Sequence, residues 1–308
     1  MSIRDPQALQ PENAINLPEN DTARTSKRRR LPHLLRNRKV AISLIILSLF
    51  GLMAIFAPQI APGRPLDFVG LPHQAPSTEH LLGTTGQGQD VFTQLVHGAR
   101  RSLMVGIAAG LVTSFFATIV GISAGYFGGR VDTLLSMLIN VFLIIPGLPL
   151  LVALAAFLPP GEVTIIFALA FTGWAWTARV IRAQTLSIRE KDFVLACIVS
   201  GDSHLRVMFV EILPNMASIV AGALFGSITY GIAAQAGLEF LGLGNISSVS
   251  WGTILYWAGN NSGLLTGAWW TFVPAGLCIA LVAFALAMLN YAMDEITNPR
   301  LRVDQEER

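Results

Sequence analysis

Residues 191–215 read KDFVLACIVSGDSHLRVMFVEILPN. The stretch is rich in apolar residues, yet Lys191, Asp192, Asp202, His204, Arg206 and Glu211 interrupt it, so it is no membrane span. It divides at Gly201, a residue type suited to the left-handed conformation just past a helix end. Asp202 or Ser203 can cap a second helix, and Pro214 opens the next segment. The reading is two short helices. Leu205, Met208, Phe209 and Ile212 are predicted to share one face of the second, at i, i+3, i+4, i+7 spacing. A helix with such a face needs cover. The bilayer interface, the rest of the chain and a partner protein all meet that need, and periodicity does not choose among them.

Apolar runs of the roughly 20 residues that cross a bilayer lie on both sides of this stretch. Those after it run over about 214–241 and 269–293, and those before it over about 40–60, 102–127, 134–158 and 163–181. The expectation is an all-α integral membrane protein with six transmembrane helices. Composition agrees: of 308 residues, 53% are hydrophobic and 13% charged, against about 25% charged in soluble domains. The first run begins too late and is too long for a cleavable signal core. The net charge of +2 argues against a nucleic-acid partner.

The positions of the basic residues set the expected orientation. Lys27-Arg28-Arg29-Arg30, Arg36, Arg38 and Lys39 precede the first run, which puts the N-terminus in the cytoplasm. Six spans return the C-terminus, with Arg300, Arg302 and Arg308, to the same side. Residues 191–215 then lie inside as well, with Arg179, Arg182 and Arg189 nearby. The expected outer segments, 62–98, 158–162 and 242–268, hold Arg64 as their only Lys or Arg, apart from Arg100 and Arg101 just beyond, which oppose the rule.

The chain divides accordingly. Residues 1–30 are a polar tail expected to be disordered, and 31–62 hold the first helix. Residues 63–98 form an outer loop, with a short interfacial helix expected after the N-cap Asp90. Residues 99–295 are a five-helix core containing the loop 190–212, and 296–308 a cytoplasmic tail. Gly106 with Gly110, Gly121 with Gly125, and Gly222 with Gly226 recur at four-residue spacing, which lets helix backbones approach closely. The glycines of 83–88 are followed by no Lys-Ser or Lys-Thr pair, so they are not read as a phosphate loop. Cys197, Cys278 and five scattered histidines suggest no disulfide and no metal site. Gln235 and Glu239, polar residues inside a span, are candidates for lining a pathway. Trp174, Trp176, Trp269 and Trp270 are read as interfacial anchors. Trp251, Tyr256 and Trp257 are read either as amphipathic packing on the membrane or as contacts to a binding protein or cargo. No paired carboxylates or Ser/His groups within the spans suggest an intramembrane enzyme, and an ion-driven carrier would place charges at mid-membrane.

The stretch 191–215 resembles the coupling loop of bacterial ABC importer permeases, whose pattern is Glu-Ala-Ala, three residues, Gly, and further on Leu-Pro. Ala196, Gly201, Leu213 and Pro214 fall at matching positions. Leu195 replaces the Glu, Cys197 the second Ala, and Glu211 stands where His or Ile is frequent. His80-Leu81-Leu82-Gly83-Thr84, Gly88-Gln89-Asp90-Val91-Phe92, Gly125-Tyr126-Phe127-Gly128-Gly129-Arg130, Phe240-Leu241-Gly242-Leu243-Gly244, Ser250-Trp251-Gly252 and Asn298-Pro299-Arg300 resemble the C-type subunit of the dipeptide/oligopeptide/nickel permeases. The resemblance implies a type I ABC importer transmembrane fold in a bacterial or archaeal inner membrane. It further implies a B-type permease partner, two ATPase subunits that carry ATP and Mg, and an extracytoplasmic binding protein. The chain itself would bind no cofactor and hydrolyse nothing. Its coupling residues would be Ala196, Gly201, Asp202, Leu205, Met208, Phe209, Glu211, Leu213 and Pro214. The implied cargo is di- or oligopeptides, with oligosaccharides or nickel complexes as the alternative.

Overall fold

The computed structural model of the protein describes residues 38–297. The expected tails, 1–30 and nearly all of 296–308, lie outside the described residues. Within them the chain is helical, with two isolated β-bridges, Phe68 to Gln89 and Thr84 to Asp90.

Among the described residues five helices are long and apolar enough to cross a membrane. They are α1 (Arg38–Ile55), α3 (Val91–Phe127), α6 (Glu162–Arg189), α10 (Ala217–Phe240) and α12 (Val273–Thr297). The short α2 (Ala57–Ile60) follows α1. The expected third span is not one straight helix. It is α4 (Gly129–Ile144) and α5 (Gly147–Phe157), bent by 83° at the break. Pro146 causes the break: it removes a backbone donor and pushes the residue before it out of the helical region, and Ile145 is extended at φ −67°, ψ 128°.

The 37-residue α3 is the axis of the fold. It packs on α6 and α10 more extensively than any other helices pack together. Small residues make this possible. A Cβ on Gly121 would lie 2.7 Å from the Ala178 carbonyl of α6, and one on Gly110 would lie 2.7 Å from the Ile228 backbone of α10. Two ion pairs fasten the lateral helices. Arg182 of α6 holds Asp132 of α4 through Nε and Nη2 at 2.5 and 2.7 Å. Arg101 of α3 lies 3.3 Å from Glu162 at the start of α6, which explains why this arginine tolerates its unfavoured end of the helix. The outward faces of the bundle are apolar, as at Phe115, Ile144, Phe157 and Phe284, which suits a hydrocarbon environment.

The short interfacial helix expected after Asp90 is instead the first turns of α3. Asp90 is the N-cap, accepting from the Thr93 amide at 2.7 Å, and nothing breaks the helix before Gly128. Gly98, inside this helix, is accommodated because the Ser250 backbone passes 3.1 Å from where its Cβ would stand.

Candidate functional site

Residues 190–216 join α6 to α10 and form an arm at one end of the bundle. α7 (Asp192–Val199) comes first. Gly201 follows at φ +84°, the left-handed turn read from the sequence, with open space around it. Ser203, rather than Asp202, supplies the cap, accepting from the Arg206 amide at 3.4 Å. Asp202 instead pairs with Arg206 at 3.5 Å. Then come α8 (His204–Arg206), a π-helical turn Val207–Ile212 and α9 (Leu213–Asn215).

The π turn corrects the expected apolar face. Met208 and Ile212 are buried, but Leu205 and Phe209 are exposed. A π-helix carries more residues per turn than the 3.6 of the α-helix, so residues spaced for one α-helical face diverge. The turn lies just before Pro214, whose ring clashes with the carbonyl four residues back in a regular helix. Widening the turn relieves that clash.

The arm therefore has two sides. Its inner side is Val194, Val207, Met208, Ile212 and Met216, packed into one cluster with Ile122 and Tyr126 of α3 and Ile181 and Ile188 of α6. His204 adds a polar tie, its Nδ1 lying 2.9 Å from the Tyr126 hydroxyl. Its outer side is Phe193, Leu195, Ile198, Val199, Leu205 and Phe209, all exposed. Of the expected coupling residues, Ala196, Gly201, Leu205, Phe209 and Pro214 are on the surface. Glu211 and Leu213 are half-buried, and Met208 is an interior anchor. Sequence reasoning passed over Phe193 and Val199; Val199 stands four residues after Leu195, the α-helical spacing that would have marked it as a companion on the same face. Of the two departures from the motif, Leu195 joins the exposed strip, and Cys197 packs against the inner cluster. Burial, together with the nearby charges of Glu211 and Asp202, pushes the Cys197 thiol up from its ordinary range.

The opposite end carries a cap built from residues 61–90 and 241–272. α11 (Trp251–Asn260), unforeseen as a helix, is a short piece folded back into the bundle with Ser250 and Thr253 as a capping box. Trp251 is fully buried, edge-on to Phe50, and donates to the Leu95 carbonyl at 3.1 Å. It is therefore part of the core and not a membrane-surface or cargo contact. Trp257 donates to the Ile246 carbonyl and Trp270 to the Thr84 carbonyl. Trp174, expected at an interface, is buried against Phe116 and Phe142.

Gln235 and Glu239, at the end of α10, pack against this cap and do not border the large cavity between the helices. Both are 1% exposed. Glu239 accepts from Ser250 Oγ at 2.5 Å and from Gln235 Nε2 at 3.2 Å, so the carboxylate holds α11 against α10. The expected pathway role is replaced by a structural one: groups enclosed within a single chain do not face a pathway. A cavity of about 660 Å³ lies elsewhere, between α4, α6, α10 and α12.

Residues 117–303 match the model of the family described as binding-protein-dependent transport system inner membrane component. The chain belongs to that family. Residues 28–76 also match the N-terminal TM domain of oligopeptide transport permease C. A putative peptide transport system permease protein of Brucella suis is 33% identical over 88% of this chain and 91% of its own length. The dipeptide transport system permease protein DppC of Bacillus subtilis is 34% identical, over 87% of this chain and 83% of its own. The oligopeptide transport system permease protein OppC of the same organism is 32% identical, over 86% and 87%. A transport component of this family with these apolar helices is a multi-pass inner-membrane protein.

Proposed function

We propose that the chain is one permease subunit of an ATP-driven importer of di- or oligopeptides. The observation that carries the reading is the two-sided arm. An exposed apolar strip at a bundle end outside the apolar spans is unfavourable in water and calls for a partner. The side behind it is locked into the ends of α3 and α6 and runs directly into α10. A push on the strip is thereby delivered to three membrane helices at once.

In this reading an ATPase subunit takes up the strip, and a second ATPase serves a B-type permease that pairs with this chain. ATP and Mg reside on the ATPases. Closure of the ATPases moves the arm, and the helix groups rock between inward and outward openings. A binding protein delivers cargo at the cap end. The basic residues before α1 support a cytoplasmic N-terminus and a cytoplasmic arm. Peptide cargo is supported by the names of the relatives.

The test is uptake of a labelled dipeptide and a labelled oligosaccharide by cells with and without this gene. Loss of dipeptide uptake alone is expected. Loss of sugar uptake alone, or of neither, overturns the peptide assignment.

A further inference from the structure

The cavity of about 660 Å³ is largely apolar, and among the described residues its one titratable group is a tyrosine phenol. Four polar side chains converge on it from three helices: Thr177 of α6, Ser227 and Tyr230 of α10, and Asn290 of α12. Their polar groups have no hydrogen-bond partner among the described residues. Thr113 and Thr172, which also border the cavity, return their hydroxyls to their own helices, at the Ala109 and Ala168 carbonyls. The contrast matters, because a polar group at membrane depth is unfavourable unless it meets a partner or a cavity that holds one. Asn290 is accommodated by Gly222, where a Cβ would lie 2.5 Å from its Oδ1. Gly226 borders the cavity with nothing within 4 Å of its Cβ position. Trp176, on the wall, is two-thirds exposed. Apolar walls with a few convergent polar groups are the pattern of a small-molecule site.

We infer that this cavity is a cargo-contact site for the uncharged amide groups of a peptide backbone, with Thr177, Ser227, Tyr230 and Asn290 as its hydrogen-bonding residues. A carboxamide and three hydroxyls both donate and accept, which matches the N–H and C=O that every peptide presents. Among the described residues the walls hold no ionic partner to select among charged side chains. The site rests on the reading of the chain as a peptide permease subunit and adds to it a selection rule: it reads backbone and ignores side-chain charge.

The experiment uses the whole importer reconstituted with its binding protein and supplied with Ala-Ala, Lys-Ala or Asp-Ala. Asn290→Ala is expected to lower uptake of all three at least fivefold and by a similar factor, while ATP hydrolysis stimulated by the loaded binding protein persists. Gly226→Leu, which meets open space, is expected to block uptake by filling the cavity. Gly276→Leu, also in open space but away from the cavity, is the control and leaves uptake unchanged. If Asn290→Ala disrupts assembly, Ser227→Ala and Tyr230→Phe each remove one oxygen and carry the same test. Wild-type uptake in Gly226→Leu and in the oxygen-removing variants overturns the inference, as does a loss confined to one charge class. Failure of the unmodified importer to take up any peptide overturns the peptide reading itself.

Discussion

The two ends of this protein are held together by different forces. The cap is knitted by directional bonds between distant parts of the chain: Trp251 to Leu95, Trp270 to Thr84, His73 to Asn261 and Ser250 to Glu239. Several of its glycines sit where neighbours leave no room for a Cβ, as at Gly83, where the Trp270 ring would be 2.8 Å away. The arm is held mainly by apolar packing, with the His204 to Tyr126 bond as its tie to α3. Hydrogen bonds fix register because they weaken steeply with angle and distance, whereas apolar contact is non-directional and survives small slides. The cap is thus built to keep a shape, whereas the arm's attachment tolerates small slides.

The largest effects are expected at the arm's two faces. Met208→Ala empties an interior site and is expected to destabilise the chain by about 2–5 kcal/mol, read as a lower Tm of the purified complex. Leu205→Asp, on the exposed face, is expected to leave Tm nearly unchanged but to lower uptake about tenfold or more, a loss of at least about 1.4 kcal/mol in coupling, with ATPase subunits lost on purification. If Leu205→Asp instead lowers Tm as Met208→Ala does, the arm does not have two distinct sides.

The cap is tested by Gly252→Ala. The new Cβ would stand 2.6 Å from Glu239 Oε2 and 2.8 Å from Ala236 Cα, and overpacking of this kind costs about 1–3 kcal/mol. A lower Tm with the partner ATPases still bound is expected. An unchanged Tm would mean that α11 is loosely held, and the contrast between the ends would fail.

The smallest effect is expected from Gly201→Val. The open space around Gly201 removes any clash, so the penalty is the left-handed backbone alone, about 1–3 kcal/mol and local. Uptake is expected to fall while Tm hardly shifts, because the turn between α7 and α8 would open without disturbing the inner cluster. Wild-type uptake would show that the geometry of this turn does not matter to coupling.

Much of this was legible in the residues. The apolar runs marked the membrane helices, because a span must be about 20 residues long and satisfy its own backbone. The small-residue spacing of Gly106, Gly110, Gly121 and Gly125 marked sites of close approach on α3, whereas Gly222 with Gly226, read the same way, meets only the Asn290 side chain and open space. Gly201 marked the turn in the arm. The candidate pathway residues were not legible correctly. Gln235, Glu239 and Asn290 are equally polar interruptions of apolar runs, and nothing in their local sequence separates them. The difference lies in what stands opposite: Ser250, brought by the fold of the cap, satisfies Glu239, whereas Asn290 faces a cavity.

Local sequence was therefore enough for the membrane helices, the left-handed turn at Gly201 and the resemblance to an importer permease, since these rest on local conformational preference, hydrophobic length and motif spacing. Only the folded chain reveals that Pro146 bends the third span and that a π turn splits the arm into an anchored and an exposed side. The same holds for the meeting of Asp132 with Arg182, and for Glu239 being sealed while Asn290 is open. The last two depend on which groups are brought together from far apart in the chain, and partners at such distances leave no periodic signal along it.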